Sequence, residues 1–466
     1  MKEADINKLC ERYEEMVRSG CKYYFEPDEL DVIADYYEEN MAFEKALSAI
    51  SYGMSLYPGF EPFKIHKARC LLATGNIIES FEILQSIIDH NLEYYFILAE
   101  VELLQDNISS ALEAFKHIVN DVECTLEDCI DVIDICAEVN HTQLLQDFTQ
   151  FVKKRFDDVT PYLRELALLY EETEDNELAI SIYNEILDIN PFSADDWFSL
   201  AKVYARMQDY DKAIEACDFA LAINDSDDNI LAFRGYCLYD SGQYAEAVEQ
   251  FLIFLEKTND KLFAYELIAE VYERMELHED AINYLHKAIE LNDSNHDLYY
   301  KLAVSHYYMG DNEQAILHLY KAVACDNNDI EAHSFLGELL LENEDFEEAY
   351  KHLSLIDYRP VTDTVPASAL ADVCIHLQKY DESLDILLQL IEKDPYDPHY
   401  IFDIILCYMQ LGDYDKALQW VAQSEEISND DKIIEQLPVE IQKSWLSIRE
   451  RIEQLRNILS VYIDEK

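Results

Sequence analysis

The sequence predicts an all-α chain in which about twelve helical hairpins stack into a solenoid. Three observations predict it: a ladder of residues repeating every 34 positions, a second ladder of small residues twelve positions ahead of it, and few helix breakers. The first ladder reads Ala179, Ala213, Ala247, Ala281, Ala315 and Ala349, and continues forward to Ser383 and Ala417. Backward it gives Leu145 and Ala111, then a shorter step of 31 residues to Ser80, then Ala46. The second ladder is Ala34, Ala68, Ala99, Ile133, Ala167, Ala201, Gly235, Ala269, Ala303, Gly337, Ala371 and Ile405. Small side chains recur in this way where two helices must approach closely. The third observation is compositional. Half of the 466 residues are hydrophobic, with only 9 Gly and 10 Pro, so the chain has apolar surface to bury and few of the breakers an all-β chain needs.

The elements follow in chain order. Residues 1–26 hold a candidate helix, 3–19, which caps the open face of the first hairpin, as the end of a stacked array requires. The opening MKEADINKLCERYEEM is polar and acidic, without the basic and apolar regions of a secretory leader. The repeats occupy 27–431. Large residues stand four places before the small ladder (Trp197, Leu231, Tyr265, Tyr299) and three places after it (Tyr37, Tyr170, Tyr204, Tyr272, Tyr408). That spacing is one apolar stripe along a helix. Turns such as MQDYDKA (207–213), SGQYAEA (241–247), MGDNEQA (309–315) and LGDYDKA (411–417) end one helix on Gly or a polar residue. They begin the next near Asp or Asn. Two stretches are irregular: 61–159, with its short frame and with Glu102 and Leu145 at unusual places, and 350–366, where Pro360 and Pro366 suggest a loop.

The last element, 432–466, contains an amphipathic helix over 438–463. Ile441, Trp445, Ile448, Ile452, Leu455, Leu459 and Tyr462 form its stripe, opposite Lys443, Arg449, Arg451 and Arg456. Two readings stay open. The stripe caps the last hairpin, or it pairs with a second copy as a homodimer seam.

Large residue, Leu, small residue, Tyr, Ala and Ala at fixed places in 34 residues resemble the tetratricopeptide (TPR) signature, in the manner of bacterial-type multi-repeat TPR proteins. The segment 195–225 carries the likeness best, through Trp197, Leu200, Ala201, Tyr204, Ala213 and Ala220, while Cys217 and Asp225 depart from it. The resemblance implies a right-handed α-solenoid whose first helices line a concave, peptide-binding groove. Read onto this sequence, its groove places hold Asp31, Asp35, Glu38, Phe96, Glu100, Asp134, Tyr236, Tyr239, Glu266, Glu270, Glu273, Tyr300, Tyr307, Glu338 and Asp372. Arg69, Arg164 and Lys202 are the basic minority. The Lys and Asn clamp of chaperone-binding relatives is missing, so the implied ligand is a protein or peptide with a Lys- or Arg-bearing segment.

Charge narrows the partners further. With 96 acidic and 35 basic side chains the formal net charge is −61, which repels nucleic acid and anionic membrane surfaces. No apolar run is long enough to span a bilayer. Eleven Cys without a Cys-x-x-Cys pair suit reduced thiols in a cytoplasmic protein. No phosphate loop, nucleophile elbow or His-Glu-x-x-His appears, so no catalytic residue, cofactor or metal is expected. The runs Asp225-x-Asp227-x-Asn229 and Asp293-x-Asn295-x-Asp297 open like calcium loops. They lack Gly at the sixth place and Glu at the twelfth, so helix capping accounts for them. The expected function is a non-enzymatic scaffold or adaptor. The alternative is a peptide-sensing regulatory protein that switches a separate effector.

Overall fold

The computed structural model describes residues 3–356 and 364–464. It is all-α, with no strand among the described residues. The helices form two compact units, 1–237 and 238–466. In the first, α1 (Glu3–Ser19) packs on α2 (Pro27–Glu39), which pairs with α3 (Phe43–Leu56). The pairs α4 (Pro62–Ala73) with α5 (Ile77–Leu84), and α6 (Leu92–Leu104) with α7 (Ile108–Asn120), follow. Next come α8 (Leu126–Glu138) with α9 (Leu145–Arg155), α10 (Thr160–Glu172) with α11 (Asn176–Ile189), and α12 (Ala194–Arg206) with α13 (Tyr210–Ile223). The division between units falls in α14 (Asp228–Asp240).

The second unit opens with α15 (Tyr244–Lys257). Its pairs are α16 (Lys261–Arg274) with α17 (His278–Leu291), α18 (His296–Tyr308) with α19 (Asn312–Cys325), and α20 (Ile330–Glu342) with α21 (Phe346–Leu353). Then come α22 (Val365–His376) with α23 (Tyr380–Lys393), and α24 (Pro398–Gln410) with α25 (Tyr414–Asn429). A short α26 (Asp431–Ile434) leads to α27 (Val439–Asp464).

The two ladders meet inside each hairpin. Ala46, Ala68, Ala111, Ala167, Ala179, Ala213, Ala303, Ala315, Ala349, Ala371 and Ala417 are all fully buried. Where Ser replaces Ala, its hydroxyl reports the contact. Ser80 Oγ donates to the Ala68 carbonyl at 2.7 Å, and Ser383 Oγ to the Ala371 carbonyl at 3.0 Å. At Gly337 the fit is tighter still, because a Cβ there would meet Leu353 Cγ at 2.4 Å.

The turn inside each hairpin has one recurrent backbone feature. Met41, Gly75, Asp106, Asn140, Glu174, Gln208, Gly242, Glu276, Gly310, Glu344, Gln378 and Gly412 all have positive φ, between 54° and 80°. Each reverses the chain just after a first helix, as in the Asp413 N–H to Tyr408 carbonyl bond of 2.9 Å. The step from Gly75 to Asp106 is the short frame. It coincides with α5, which spans only 8 residues. Between hairpins, Asp227 Oδ1 accepts from the N–H groups of Asn229 and Ile230, and Asn295 Oδ1 from that of Asp297. The two calcium-like runs therefore hold helix caps.

Two expectations need correction. Pro366 does not lie in a loop but in the first turn of α22, where a missing N–H is harmless; Pro360 lies outside the described residues. The stripe of α27 is not free for self-pairing. Trp445, Ile448, Ile452 and Leu459 are buried against α24 and α25, and Trp445 Nε1 donates to the Tyr396 carbonyl at 2.9 Å. Arg456 pairs with Glu425 at 2.6 Å on the same packing face (the Tyr462 side chain lies outside the described residues). The helix caps its own chain, and a homodimer through that stripe loses its basis.

Replacing Gly337 by Val should lower the thermal midpoint, since overpacking this contact costs about 1–3 kcal/mol. Circular dichroism melting of the full chain checks it.

Candidate functional site

The first helices of successive hairpins lie side by side, α2 on α4, α4 on α6, α6 on α8 and α8 on α10 in the first unit, and α20 on α22 in the second. Residues at the groove places of neighbouring helices therefore meet as local clusters.

One cluster is in the second unit. Tyr300 and Tyr307 of α18 stand edge-on to Phe335 of α20, with centroids 6.1 and 5.3 Å away. With Glu331, Ser334 and Glu338 of α20, and with Ile356 and Pro366, they line a cavity of about 590 Å³. Glu338 accepts from Ser334 Oγ at 2.8 Å. Tyr308 and Ile330, also on its wall, are exposed. Burial raises the pKa of the Tyr300 hydroxyl, and the nearby carboxylates of Glu331, Asp329 and Glu338 add to the effect.

A second cavity, about 500 Å³, lies in the first unit. Phe96 and Glu100 of α6 line it together with Arg69, Glu93, Glu123 and Asp128. Burial raises the Glu100 carboxyl above the usual carboxylate range, and Glu138 adds repulsion.

The α16 carboxylates are partly answered within the chain. Glu273 accepts from Ser305 Oγ at 2.9 Å, and its pKa is raised by burial despite that bond. Burial likewise raises Glu266. Lys301 bonds Asp297 at 2.9 Å; burial disfavours its charge, but Asp297, Glu270 and Glu266 outweigh that and raise its pKa. Tyr239, beneath Arg274 at 6.0 Å, is pushed up to about 12 by burial and by Glu270.

Asp31 and Asp35 of α2 face His66 of α4 rather than either cavity, with His66 Nε2 3.2 and 3.7 Å away. Burial lowers the His66 pKa, but the carboxylates of Asp31, Glu38 and Asp35 prevail and hold it at about 9. Asp372 of α22 lies near Asp403 of α24. Burial raises both, and with the help of Asp372 it brings Asp403 to about 7 against the pull of Arg451. Asp134 and Tyr236 stand exposed in neither cavity.

His66, Lys301 and Asp403 were missed by the sequence reading. All three stand two residues before the second ladder, ahead of Ala68, Ala303 and Ile405. A polar residue at a place held elsewhere by Phe233, Leu267, Phe335 or Ala369 was the available signal.

Comparison with known proteins settles what kind of repeat this is. The profile of the tetratricopeptide repeat matches residues 165–193, 267–330 and 368–432. The chain carries tetratricopeptide repeats over these residues. A further profile, that of subunit 3 of the anaphase-promoting complex (cyclosome), matches residues 208–288 of the TPR chain. A TPR repeat-containing protein of Methanocaldococcus jannaschii is 25% identical over 141 residues, 29% of this chain and 24% of that protein. The match thus spans about a quarter of the relative's length.

Solved TPR structures are similar at low identity. The C-terminal part of a TPR protein from Cytophaga hutchinsonii is 16% identical with a TM-score of 0.39, over 56% of this chain and 98% of that one. YrrB, described as a TPR protein with an unusual peptide-binding site, is 18% identical with a TM-score of 0.34, over 42% and 97%. The Cut9–Hcn1 assembly of the anaphase-promoting complex gives 16%, 0.33, and 90% of both chains. No described helix of the TPR chain is long and apolar enough to cross a membrane.

The Asp403 carboxyl predicts a pH effect. Its folded pKa lies above the unfolded value, so the folded chain holds the proton more tightly and stability falls as pH rises from about 4 to 7. Asp403→Asn should remove that decline, raising stability at pH 8 by on the order of 1–4 kcal/mol with little change at pH 4. Urea unfolding of both chains at the two pH values measures it.

Proposed function

We propose that this TPR chain is a non-enzymatic scaffold or adaptor that holds an extended protein segment bearing Lys or Arg next to an apolar residue. One observation carries the reading: the cavity between α18, α20 and α22, where four aromatic rings and two carboxylates share a wall. The volume, about 590 Å³, suits one or two side chains of a peptide. Tyr300, Tyr307 and Phe335 offer ring faces and edges to an alkyl stem or a cation. Glu331 and Glu338 supply the opposite charge. A net charge of −61 draws a basic segment in from a distance and weakens in salt.

The cavity beside Phe96 and Glu100 repeats the combination with a difference. Arg69 stands in its wall, so its charge is mixed and it suits a less basic stretch of the partner. A cytoplasmic setting, where the nine buried thiols stay reduced, belongs to the same reading.

The test is fluorescence anisotropy with labelled peptides that present Lys or Arg flanked by Leu or Phe. Tyr307→Ala should weaken binding by about 1–2 kcal/mol, or five- to thirtyfold, in the manner of an interface aromatic. Glu331→Gln with Glu338→Gln should weaken the basic peptide but not a Gln-substituted control, and should flatten its salt dependence. Equal affinity of all variants for all peptides would discard the reading.

A further inference from the structure

We infer that Asp31, Asp35 and His66 form a binding site for one divalent transition-metal ion such as Zn²⁺, oriented by Glu38. The inference is independent of the peptide-binding reading. It begins with α2, which presents Asp31, Asp35 and Glu38 along the side that packs on α4. The latter helix brings in His66, of which only 6% is exposed.

Glu38 fixes the imidazole. Its Oε1 contacts His66 Nδ1 at 2.9 Å and accepts from Cys70 Sγ at 3.3 Å, while its Oε2 accepts from Arg69 Nη1 at 2.9 Å. A carboxylate that only accepts requires the proton on Nδ1, so the lone pair of the neutral ring sits on Nε2. That nitrogen faces Asp31 Oδ1 at 3.2 Å and Asp35 Oδ1 at 3.7 Å. Asp31 Oδ1 is buried and accepts no hydrogen bond.

The first separation is at the long end of N–H···O bonds, which run from about 2.7 to 3.2 Å, and the second is beyond it. Both suit a chelate. Two ligands about 2.0–2.1 Å from a tetrahedral ion lie roughly 3.3 Å apart. The three ligand atoms lie within 4.8 Å of one another, so a small closure of the carboxylates brings all of them onto one ion. One imidazole nitrogen and two carboxylates bring two negative charges, matching a divalent ion of borderline softness. A carboxylate behind the ligating His is the usual outer partner of such a site. The Asp35 side chain is 50% exposed, which leaves a route for the ion and a place for water as the fourth ligand.

The competing state is a proton on Nε2, making the cluster an ion network and nothing more. Equilibrium dialysis and thermal melting with Zn²⁺ separate the two. Because the chain also has 11 Cys and 13 His, the comparison is with Asp35→Asn, a change at a half-exposed position, with circular dichroism as the check that the fold is kept. Asp31→Asn serves as the second variant. The full-length chain should bind one more Zn²⁺ than either variant, or bind it at least tenfold more tightly, and Zn²⁺ should raise its melting temperature but not theirs. Co²⁺ in place of Zn²⁺ should give visible absorption that disappears in both variants. Identical stoichiometry, affinity and melting response in the three chains would overturn the site and leave a protonated His66 among carboxylates.

Discussion

Everything in this chain depends on helices coming close enough for one backbone to touch the side chain of the next. The bonds from Ser80 to the Ala68 carbonyl and from Ser383 to that of Ala371 show how near they come. A hydroxyl on one helix reaches the main chain of its partner without an intervening side chain. That approach fixes the tilt within a hairpin and, through the large residues on either side, the place of the next hairpin. The groove residues of a first helix are then carried into contact with those of its neighbours. Packing thus decides which acids meet which rings.

The fold was legible because its cause is compositional and periodic. Small residues at two places in 34 cannot arise from solvent exposure, and the stripe of large residues around them has a single helical reading. The end of the chain was ambiguous for a physical reason: an apolar stripe demands cover but does not name it. Trp445 resolves that ambiguity through its bond to the Tyr396 carbonyl. The candidate site was legible only in part. Tyr300, Tyr307 and Glu338 gather around one cavity, and Phe96 with Glu100 around another. Asp31 and Asp35 turn instead toward His66, whose place the groove pattern omits. Sequence periodicity shows which face a residue shares but not which partner the next helix offers.

The acidic balance also takes a definite form. Several of the few cations tie one hairpin to the next. Arg164 grips Asp196 through two bonds of 2.9 and 2.7 Å, Lys153 meets Glu185 at 2.6 Å, and Arg206 meets Glu171 at 2.6 Å. Each pair is separated by about one repeat in sequence. Fully exposed pairs add little stability individually, commonly ~0–1 kcal/mol, whereas here the Asp196 carboxylate is itself buried. These ties draw positive charge into the joints between hairpins, and the carboxylates without such ties dominate the outer surface.

The twelve left-handed residues in the hairpin turns have a consequence for how the array can vary. Only four of them are Gly; the others include Met41, Asn140, Gln208 and Glu344. An L side chain resists that conformation by roughly 1–2 kcal/mol, so at eight corners the reversal is imposed by the helices it joins. The corner is dictated from outside itself. Its side chain is thereby released from any conformational duty, and substitution there can drift through charge, size and polarity while the architecture persists.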